Sequence, residues 1–193
     1  MDIDPVDSSR LPDVDRLFAT SRSTRLCWCT AFCTSSRQFA VGWFGCGNRQ
    51  RFERSVAASS APMGLVASVD GDPVAWCACG PRSRYLAAVA GRSKVLAAER
   101  RDEDEHVWLI ACLYVHPDHR RDGLVPILVT AAVQLAADRG ARAVQAWPLE
   151  LGRRDPARAH VGGEASFLRL GFGRVRRFDD GRVLIRRELA DLL

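Results

Sequence analysis

The sequence has no apolar run long enough to cross a membrane as a helix, because no stretch of about 18 uninterrupted apolar residues occurs. It also lacks the features of a secretory signal, since its first twenty residues hold five aspartates and no apolar run. We find no internal repeat and no linker within the 193 residues. We therefore predict a single domain that resides in the cytoplasm and has no membrane partner.

Lysine is almost absent, because Lys94 is the only one, so the net charge of +5 rests almost entirely on arginine. Arginines crowd the last forty residues, and such a surface can attract an anionic ligand. Nucleic-acid binding is therefore one alternative. The chain has no recognised nucleic-acid-binding motif, and its aromatic residues are not interleaved with the basic strands, so we expect nucleic acid not to be the partner.

The seven cysteines do not have a common zinc-binding pattern. Cys27, Cys29 and Cys33 form a C-x-C-x3-C cluster. Zinc sites favour two to four residues between paired ligands, followed by a second pair. We therefore expect no metal, and we expect most of the cysteines to be reduced, packed thiols.

The pattern of apolar residues predicts alternating helices and strands. We expect a helix at residues 11–19, an irregular stretch at 25–47, a helix that Asn48 caps and that ends near Ser59, a hairpin at 64–81, a helical segment at 83–99, a strand at 106–115, a helix at 123–138, a strand at 141–147, a short helix at 165–170, and strands at 174–178 and 183–187. The strand, helix and strand between residues 106 and 147 have the spacing of a right-handed parallel βαβ unit.

Residues 116–126, with the sequence His-Pro-Asp-His-Arg-Arg-Asp-Gly-Leu-Val-Pro, join the buried strand to the long helix. A strand-to-helix turn with a glycine presents free backbone N–H groups at the positive end of the helix dipole, and this is an anion site. Arg120 and Arg121 add positive charge where a pyrophosphate would lie. We predict a phosphate-bearing ligand at residues 120–126. The alternative is an ordinary turn with solvated arginines.

The segment from Val115 to Val125 resembles the acyl-CoA-binding motif of the GNAT acyltransferase superfamily. That motif is Gln or Arg, two variable residues, Gly, one variable residue, then Gly or Ala. The resemblance covers residues 64–187 and includes a late helix ending in Gly171-Phe172, while Cys27-Trp28-Cys29 resembles a bacterial subgroup of the family. It implies an α/β (α+β) fold with a strongly bent mixed central sheet, a parallel βαβ unit at its centre and flanking helices.

The resemblance also implies one GNAT-like domain, with a variable acceptor-side part at residues 1–62 and an acyl-CoA-binding core at 63–193. Acetyl-CoA would be the co-substrate, and its acetyl group would pass to a primary amine of a small molecule or protein by direct attack in a ternary complex. A homodimer is left open. The residues that the resemblance assigns to CoA are Leu113, Tyr114, Val115, Arg120, Arg121, Asp122, Gly123, Leu124, Val125 and Pro126.

The sequence departs from the family pattern at three positions. Val125 stands where the family has Gly or Ala, Pro126 lacks an N–H, and Phe167 stands where many members carry a tyrosine that protonates the leaving thiolate. These departures favour an alternative function, a GNAT-like module that binds acyl-CoA without catalysis.

Transfer to an ammonium group requires a base that removes its proton. The candidate bases are Glu105 and His106 at the start of one central strand and Glu150 just beyond the other. The candidate walls of the acceptor pocket are Trp28 and Trp147. Each of these five residues also has a structural alternative, as a solvated surface group or as part of the core.

Overall fold

The computed structural model describes residues 1–85, 105–150, 152 and 161–189. Its core is one seven-stranded mixed sheet with the order β1-β2-β3-β4-β5-β7-β6. The strands are β1 (Asp2–Pro5), β2 (Leu65–Val69), β3 (Asp72–Pro81), β4 (Val107–Val115), β5 (Ala143–Ala146), β6 (Gly173–Arg177) and β7 (Val183–Glu188). Strands β4 and β5 are parallel, and every other neighbouring pair is antiparallel.

Helices flank this sheet. In the described residues they are α1 (Leu11–Ala19), α2 (Arg22–Cys27), α3 (Ser36–Val41), α4 (Gly47–Ala58), α5 (Leu124–Asp138) and α6 (Glu164–Leu168). Short 3₁₀ turns occur at Ser8–Arg10, Thr30–Phe32, Arg82–Tyr85 and Pro117–His119. None of the described helices combines the length and the apolar character that crossing a bilayer requires.

The predicted parallel βαβ unit is confirmed and forms the centre of the molecule. Strand β4 begins fully buried, and its first four residues pair in register with β5, from Val107 opposite Ala143 to Ile110 opposite Ala146. Helix α5 connects the two strands and buries the face that contains Leu128. Glycines in the left-handed region begin and end this helix, because Gly123 has φ +76° and Gly140 has φ +75°.

The predicted hairpin is also confirmed. Asp70 and Gly71 both have positive φ, as a tight two-residue turn between twisted antiparallel strands requires. Strand β1 was not predicted from the pattern of the sequence. Its composition, which includes Asp2, Asp4 and Pro5, suits an edge strand, because the polar and proline residues discourage further pairing on the open side.

Two sequence predictions in the N-terminal part were wrong. The stretch expected to be irregular contains α3 and the end of α2. Asn48 does not cap α4, which starts at Gly47 after Cys46, but is buried within it. The Asn48 side-chain amide donates to the Leu26 carbonyl at 2.8 Å and ties the end of α2 to α4. The predicted helical segment at 83–99 begins as a 3₁₀ turn and otherwise lies outside the described residues.

Candidate active site

The central sheet opens between β4 and β5. Their pairing stops at Ile110 and Ala146, whereas β4 continues to Val115. In the pairing with β3, Cys112 lies opposite Ala78 and Ile110 lies opposite Cys79, so Ala111 is an extra residue, a β-bulge. A bulge bends its strand and increases the local twist. We call the side of residues 111–115 that faces away from β3, where the pairing with β5 has ended, the wedge.

Main-chain groups of β4 point into the wedge. The His116 N–H donates to the Val74 carbonyl at 2.8 Å, so the backbone of His116 points towards β3. In an antiparallel pair the backbone groups of successive residues point alternately towards and away from the partner strand. The N–H and C=O groups of Leu113 and Val115 therefore point away from β3, on the side that β5 has left. Within the described residues no strand pairs with this side of Leu113 and Val115.

The loop after β4 ends in main-chain N–H groups that have no hydrogen-bond acceptor among the described residues. It passes through the Pro117–His119 turn and two residues in the left-handed region, Arg121 with φ +81° and Gly123 with φ +76°. No described residue accepts a hydrogen bond from the N–H of Gly123, Leu124 or Val125. A Cβ placed on Gly123 would meet nothing within 4 Å, so space is open in front of these donors.

The charged residues of this loop differ in their partners. Arg120 and Arg121 are exposed, and neither forms an ion pair with a carboxylate of the described residues. The Asp122 carboxylate lies 3.3 Å from Nδ1 of His119. The two arginines are therefore the cations that are open to an anion at this loop.

Beside the loop, on the α1 side, lies a pocket of about 280 Å³ that His116, His119 and Arg16 help to line. Nδ1 of His116 accepts a hydrogen bond from the Asp118 N–H at 3.2 Å, so this bond orients the ring. The two imidazole rings stand edge to face, 5.9 Å apart. The pocket and the open donors thus share the loop that follows β4.

The residues at the three departures from the family pattern have different surroundings. Val125 is half-buried and packs against the hydrophobic core. Pro126 is the third residue of α5 and removes one N–H from the first turn. Phe167 is fully buried and packs edge to face on Phe172 at 5.3 Å, so this position brings no hydroxyl to the site.

The structure separates two of the predicted bases from the wedge. Glu105 and His106 are exposed and precede β4, at the end where β4 and β5 are still paired. The wedge begins after Ile110, four residues further on, which is about 13 Å along a strand. Glu150 follows β5 and is half-buried, and its carboxylate lies 3.1 Å from Nη1 of Arg177.

The two predicted tryptophan walls have different surroundings. Trp28 is 4 % exposed and packs edge to face on Phe18 at 5.4 Å, with the Arg49 guanidinium over its ring, so it belongs to the core. Trp147 follows β5 directly and is also buried. No described residue accepts a hydrogen bond from its Nε1. Trp147 is thus a buried indole N–H donor at the point where the pairing of β5 with β4 ends.

Sequence reasoning missed a group of buried polar residues near the paired ends of β4 and β5. Arg82 is 1 % exposed, and its Nη1 donates to Oε1 of the buried Gln145 at 3.0 Å. Tyr85 lies in the same 3₁₀ turn as Arg82, and burial raises the pKa of its phenol well above the usual value. The phenol therefore keeps its proton, and no described residue accepts a hydrogen bond from it. Nothing in an arginine-rich sequence distinguishes Arg82 from its solvated counterparts.

A buried carboxylate was missed as well. Glu164 opens α6 and is fully buried. Arg174 on β6 binds both of its oxygens, from Nε to Oε1 and from Nη2 to Oε2, the latter at 3.0 Å. The hydrogen bond to Glu164 raises the pKa of the Arg174 guanidinium. The pair attaches α6 to the edge of the sheet.

In the described ranges, no three histidine, cysteine, aspartate or glutamate side chains are grouped so that they could hold a metal ion.

Solved structures with this fold are similar over almost their whole length. PaiA N-acetyltransferase from Thermoplasma acidophilum, in complex with coenzyme A, has 12 % identity and a TM-score of 0.55, with 97 % of this chain and 98 % of that chain covered. Ribosomal-protein-alanine N-acetyltransferase from Brucella melitensis has 14 % identity and a TM-score of 0.58, with 98 % and 100 % covered. YncA from Salmonella typhimurium, with its cofactor acetyl-CoA, has 14 % identity and a TM-score of 0.58, with 98 % and 94 % covered. At these identities the likeness concerns the fold alone.

The family assignment rests on the sequence and not on the likeness of the folds. No curated protein matches it. The profile of the acetyltransferase (GNAT) family matches residues 28–159, which is more than half of the chain. These comparisons do not confirm the narrower resemblance of Cys27-Trp28-Cys29 to a bacterial subgroup. They do establish that the chain belongs to the acetyltransferase (GNAT) family.

Proposed function

We propose that the protein is an N-acetyltransferase that transfers the acetyl group of acetyl-CoA to a primary amine of a small molecule or protein. The main support for the proposal is that two sets of main-chain groups without hydrogen-bond partners among the described residues follow each other along the chain. The backbone of Leu113 and Val115 faces the wedge, and the N–H groups of Gly123, Leu124 and Val125 stand open at the start of α5. Together they suit an amide-bearing arm that ends in a pyrophosphate.

The arm would hydrogen-bond to Leu113 and Val115 as an additional strand does. The pyrophosphate would accept hydrogen bonds from the first N–H groups of α5, where the helix dipole also favours negative charge. Arg120 and Arg121 would add charge to this loop. The Tyr114 hydroxyl is hydrogen-bonded to Thr20 Oγ1 at 2.8 Å, so Tyr114 would support the arm by holding α1 against β4.

The amine would attack the thioester carbonyl directly, while both substrates are bound. A new C–N bond forms and the C–S bond breaks. One proton leaves the ammonium for a base before the attack, and a second leaves the nitrogen as the thiolate becomes a thiol. Most of the rate would come from positioning, together with donors to the developing oxyanion. Residues 1–62 would form the acceptor side of the domain, and residues 63–193 the acyl-CoA core.

Among the predicted bases we favour Glu150, because Glu105 and His106 lie at the paired end of the strands. Glu150 is half-buried beyond the end of β5, and Arg177 balances its charge. Trp147 is the favoured contact for the acceptor or the acyl oxygen, since its buried Nε1 lacks an acceptor in the described residues. A buried N–H without a partner costs about 1–3 kcal/mol, and a bound ligand would recover this cost.

A non-catalytic acyl-CoA-binding module is the second candidate. It is favoured by Phe167, which is buried and has no hydroxyl to protonate a leaving thiolate, and by the N–H missing at Pro126. Such a module would keep the wedge and the loop while lacking turnover. Both candidate functions therefore require acyl-CoA to bind, but only the enzyme would release the free thiol of CoA.

Thermal unfolding with CoA and with acetyl-CoA, followed by measurement of free thiol released with a panel of amines, separates these candidates. Stabilisation together with thiol release supports the enzyme. Stabilisation without thiol release supports the module, and no stabilisation by either compound contradicts both.

The Glu150→Gln variant tests the base. We expect kcat to fall about 10²–10⁴-fold with the acetyl-CoA-dependent stabilisation unchanged, because general-base catalysis is typically worth that much. Glu188→Gln is the matched control, since Glu188 is an exposed carboxylate that is also paired with an arginine, Arg186. Equal rates for Glu150→Gln and the wild type would remove Glu150 from the mechanism.

A further inference from the structure

Three large apolar side chains that follow one another closely at the end of α3 are exposed to solvent. Val41 is 59 % exposed, Trp43 is 52 % exposed and Phe44 is 80 % exposed, and we call these three residues the 41–44 patch. The Trp43 ring packs edge to face on the half-buried ring of Phe39 at 5.9 Å, so apolar surface continues from the patch into α3. Exposed apolar side chains that are grouped, and not scattered singly, mark interaction sites.

The backbone of the 41–44 patch is fixed against α4. The Trp43 N–H donates to the Ala40 carbonyl at 3.2 Å, and the Asn48 N–H at the start of α4 donates to the Gly42 carbonyl at 3.0 Å. A Cβ on Gly42 would collide with the Asn48 side chain, so the turn lies directly against α4. The exposed side chains therefore project from a turn that the fold holds in place.

The charges in this part of the chain are of one sign. Between Asp15 and Glu53 the sequence has six arginines and no carboxylate. Arg16 and Arg49 are paired with carboxylates that lie outside this stretch. The other four form no ion pair within the described parts of the chain: Arg22, Arg25, Arg37 and Arg51. Their unbalanced positive charge favours an anionic partner.

Two of these arginines lie beside the 41–44 patch. Arg37 is exposed and precedes Val41 by four residues in α3, so the two side chains are neighbours on one side of the helix. Arg51 reaches α3 from α4, because its Nη1 donates to the Gln38 carbonyl at 2.7 Å. Exposed apolar side chains and cations without carboxylate partners therefore occupy the same part of the surface.

We propose that the 41–44 patch docks the protein on the surface of an anionic bilayer. Its three apolar side chains enter the boundary between headgroups and acyl chains, and Arg37 and Arg51 donate hydrogen bonds to lipid phosphates. Tryptophan is typical of this depth, because its ring is apolar and carries one polar N–H. A bilayer accepts projecting side chains without a shaped counterpart, whereas a protein partner has to supply a packed pocket for them.

Docking on a bilayer surface differs from crossing it. The expectation of no membrane partner rested on the lack of a long apolar run, and surface docking needs no such run. The proposal therefore departs from that expectation. Docking goes beyond the proposed acetyl transfer and does not depend on it, since it is measured without CoA and without an acceptor.

Trp43 provides a direct measurement, because the remaining tryptophans are buried: Trp28, Trp76, Trp108 and Trp147. The protein is mixed with vesicles of phosphatidylcholine alone, or of equal parts of phosphatidylglycerol and phosphatidylcholine. With the anionic vesicles we expect a blue shift of the tryptophan emission and protection from quenching by acrylamide. Both changes should weaken as salt is added, because salt screens exposed charges. Neutral vesicles should produce neither change.

Variants at exposed positions assign the binding to the patch. Phe44→Ala should weaken binding to anionic vesicles about tenfold, since the largest part of the buried apolar area is lost. Arg37→Gln should weaken it about fivefold, the effect of one cation near an anionic surface. Val41→Ala and Val175→Ala are a matched pair, because both valines are exposed and have arginine neighbours, Val175 on β6. Only Val41→Ala should weaken binding in vesicle sedimentation.

Four results would overturn the proposal. The first is wild-type protein that stays free of anionic vesicles at low salt, and the second is equal affinity for neutral and anionic vesicles. The third is an equal loss of binding in Val41→Ala and Val175→Ala. The fourth is a wild-type dimer that Phe44→Ala converts to a monomer while vesicles leave Trp43 unprotected, which would assign the patch to an interface between two copies. The first two measurements use the wild-type chain and need no variant to fold.

Discussion

The loop after β4 and the face of the sheet around Trp76 are built in opposite ways. The loop at residues 116–126 offers main-chain N–H groups and open space, and most of its side chains are exposed or half-buried. In the face around Trp76, the rings of Phe18, Phe52 and Trp76 pack edge to face and are almost fully buried. A ligand site made of main chain adds little to stability, whereas a packed face adds much. Substitutions in the two regions should therefore separate binding from folding.

The largest effect is expected at the packed face. Trp76→Ala removes a fully buried ring against which Phe18 and Phe52 pack, so we expect the free energy of unfolding to fall by about 3–5 kcal/mol. Trp43→Ala is the control, because Trp43 is 52 % exposed, and it should change stability by less than about 1 kcal/mol. Denaturant unfolding measures both. Equal effects would contradict the contrast between the two regions.

The second effect concerns binding. Gly123→Glu places a carboxylate beside the open N–H groups, and we expect CoA affinity to fall about 100-fold or more, because like charges placed together cost several kcal/mol. The left-handed backbone adds about 1–2 kcal/mol of strain. Gly140→Glu, at the other end of α5, has almost the same φ and the same open space. It should lose similar stability and keep CoA binding, as measured by calorimetry. Unchanged binding in Gly123→Glu would remove the loop from the site.

The third effect is a fall in stability at alkaline pH, and it arises at the thiol of Cys33, which follows the Thr30–Phe32 turn. Burial raises the pKa of Cys33 from 9.0 to about 12. Folding therefore favours the neutral thiol, and its contribution is complete below pH 9 and is lost between pH 9 and about 12. The slope is about 1.4 kcal/mol per pH unit for each such thiol. Guanidinium unfolding at several pH values should show a shallower fall for Cys33→Ser than for the wild type, while Cys46→Ser should follow the wild type.

The smallest effect links binding and backbone strain at one residue. Arg121 has φ +81°, so Arg121→Gly should relieve about 1–2 kcal/mol of strain and, after the added chain entropy of glycine, gain up to about 1 kcal/mol of stability. The lost charge should weaken CoA binding about fivefold, and less at high salt. Arg121→Ala should lose the same affinity without the gain in stability. A loss of stability in Arg121→Gly would show that the arginine side chain supports the loop.

Local patterns were sufficient to predict the centre of the fold. The hairpin at 64–81 follows from a two-residue turn between apolar runs, and the βαβ unit follows from a buried strand, an apolar helix and glycines at both ends of that helix. The strand, the turn and the helix alone predicted a phosphate-bearing ligand at residues 120–126, whereas Leu113, Tyr114 and Val115 joined that prediction only through the family resemblance.

Side-chain roles were harder to predict, because they depend on residues that are distant in sequence. Trp28 was a candidate wall but packs on Phe18 in the core, and Asn48 was a candidate cap but is buried inside α4. The carboxylate of Glu164 is buried because Arg174, ten residues later, returns along β6 to bind it. No pattern within a single element contains this information.

The sequence by itself determined the order of the described strands and helices from the hairpin to β7, because these elements follow from patterns among neighbours in the chain. It also carried the resemblance to the acetyltransferase family. The tertiary structure alone decided that Glu105 and His106 lie away from the wedge, that Glu150 pairs with Arg177, and that the Trp76 indole binds the thiol of Cys29. These relations arise only when strands and helices that are far apart in sequence pack against each other.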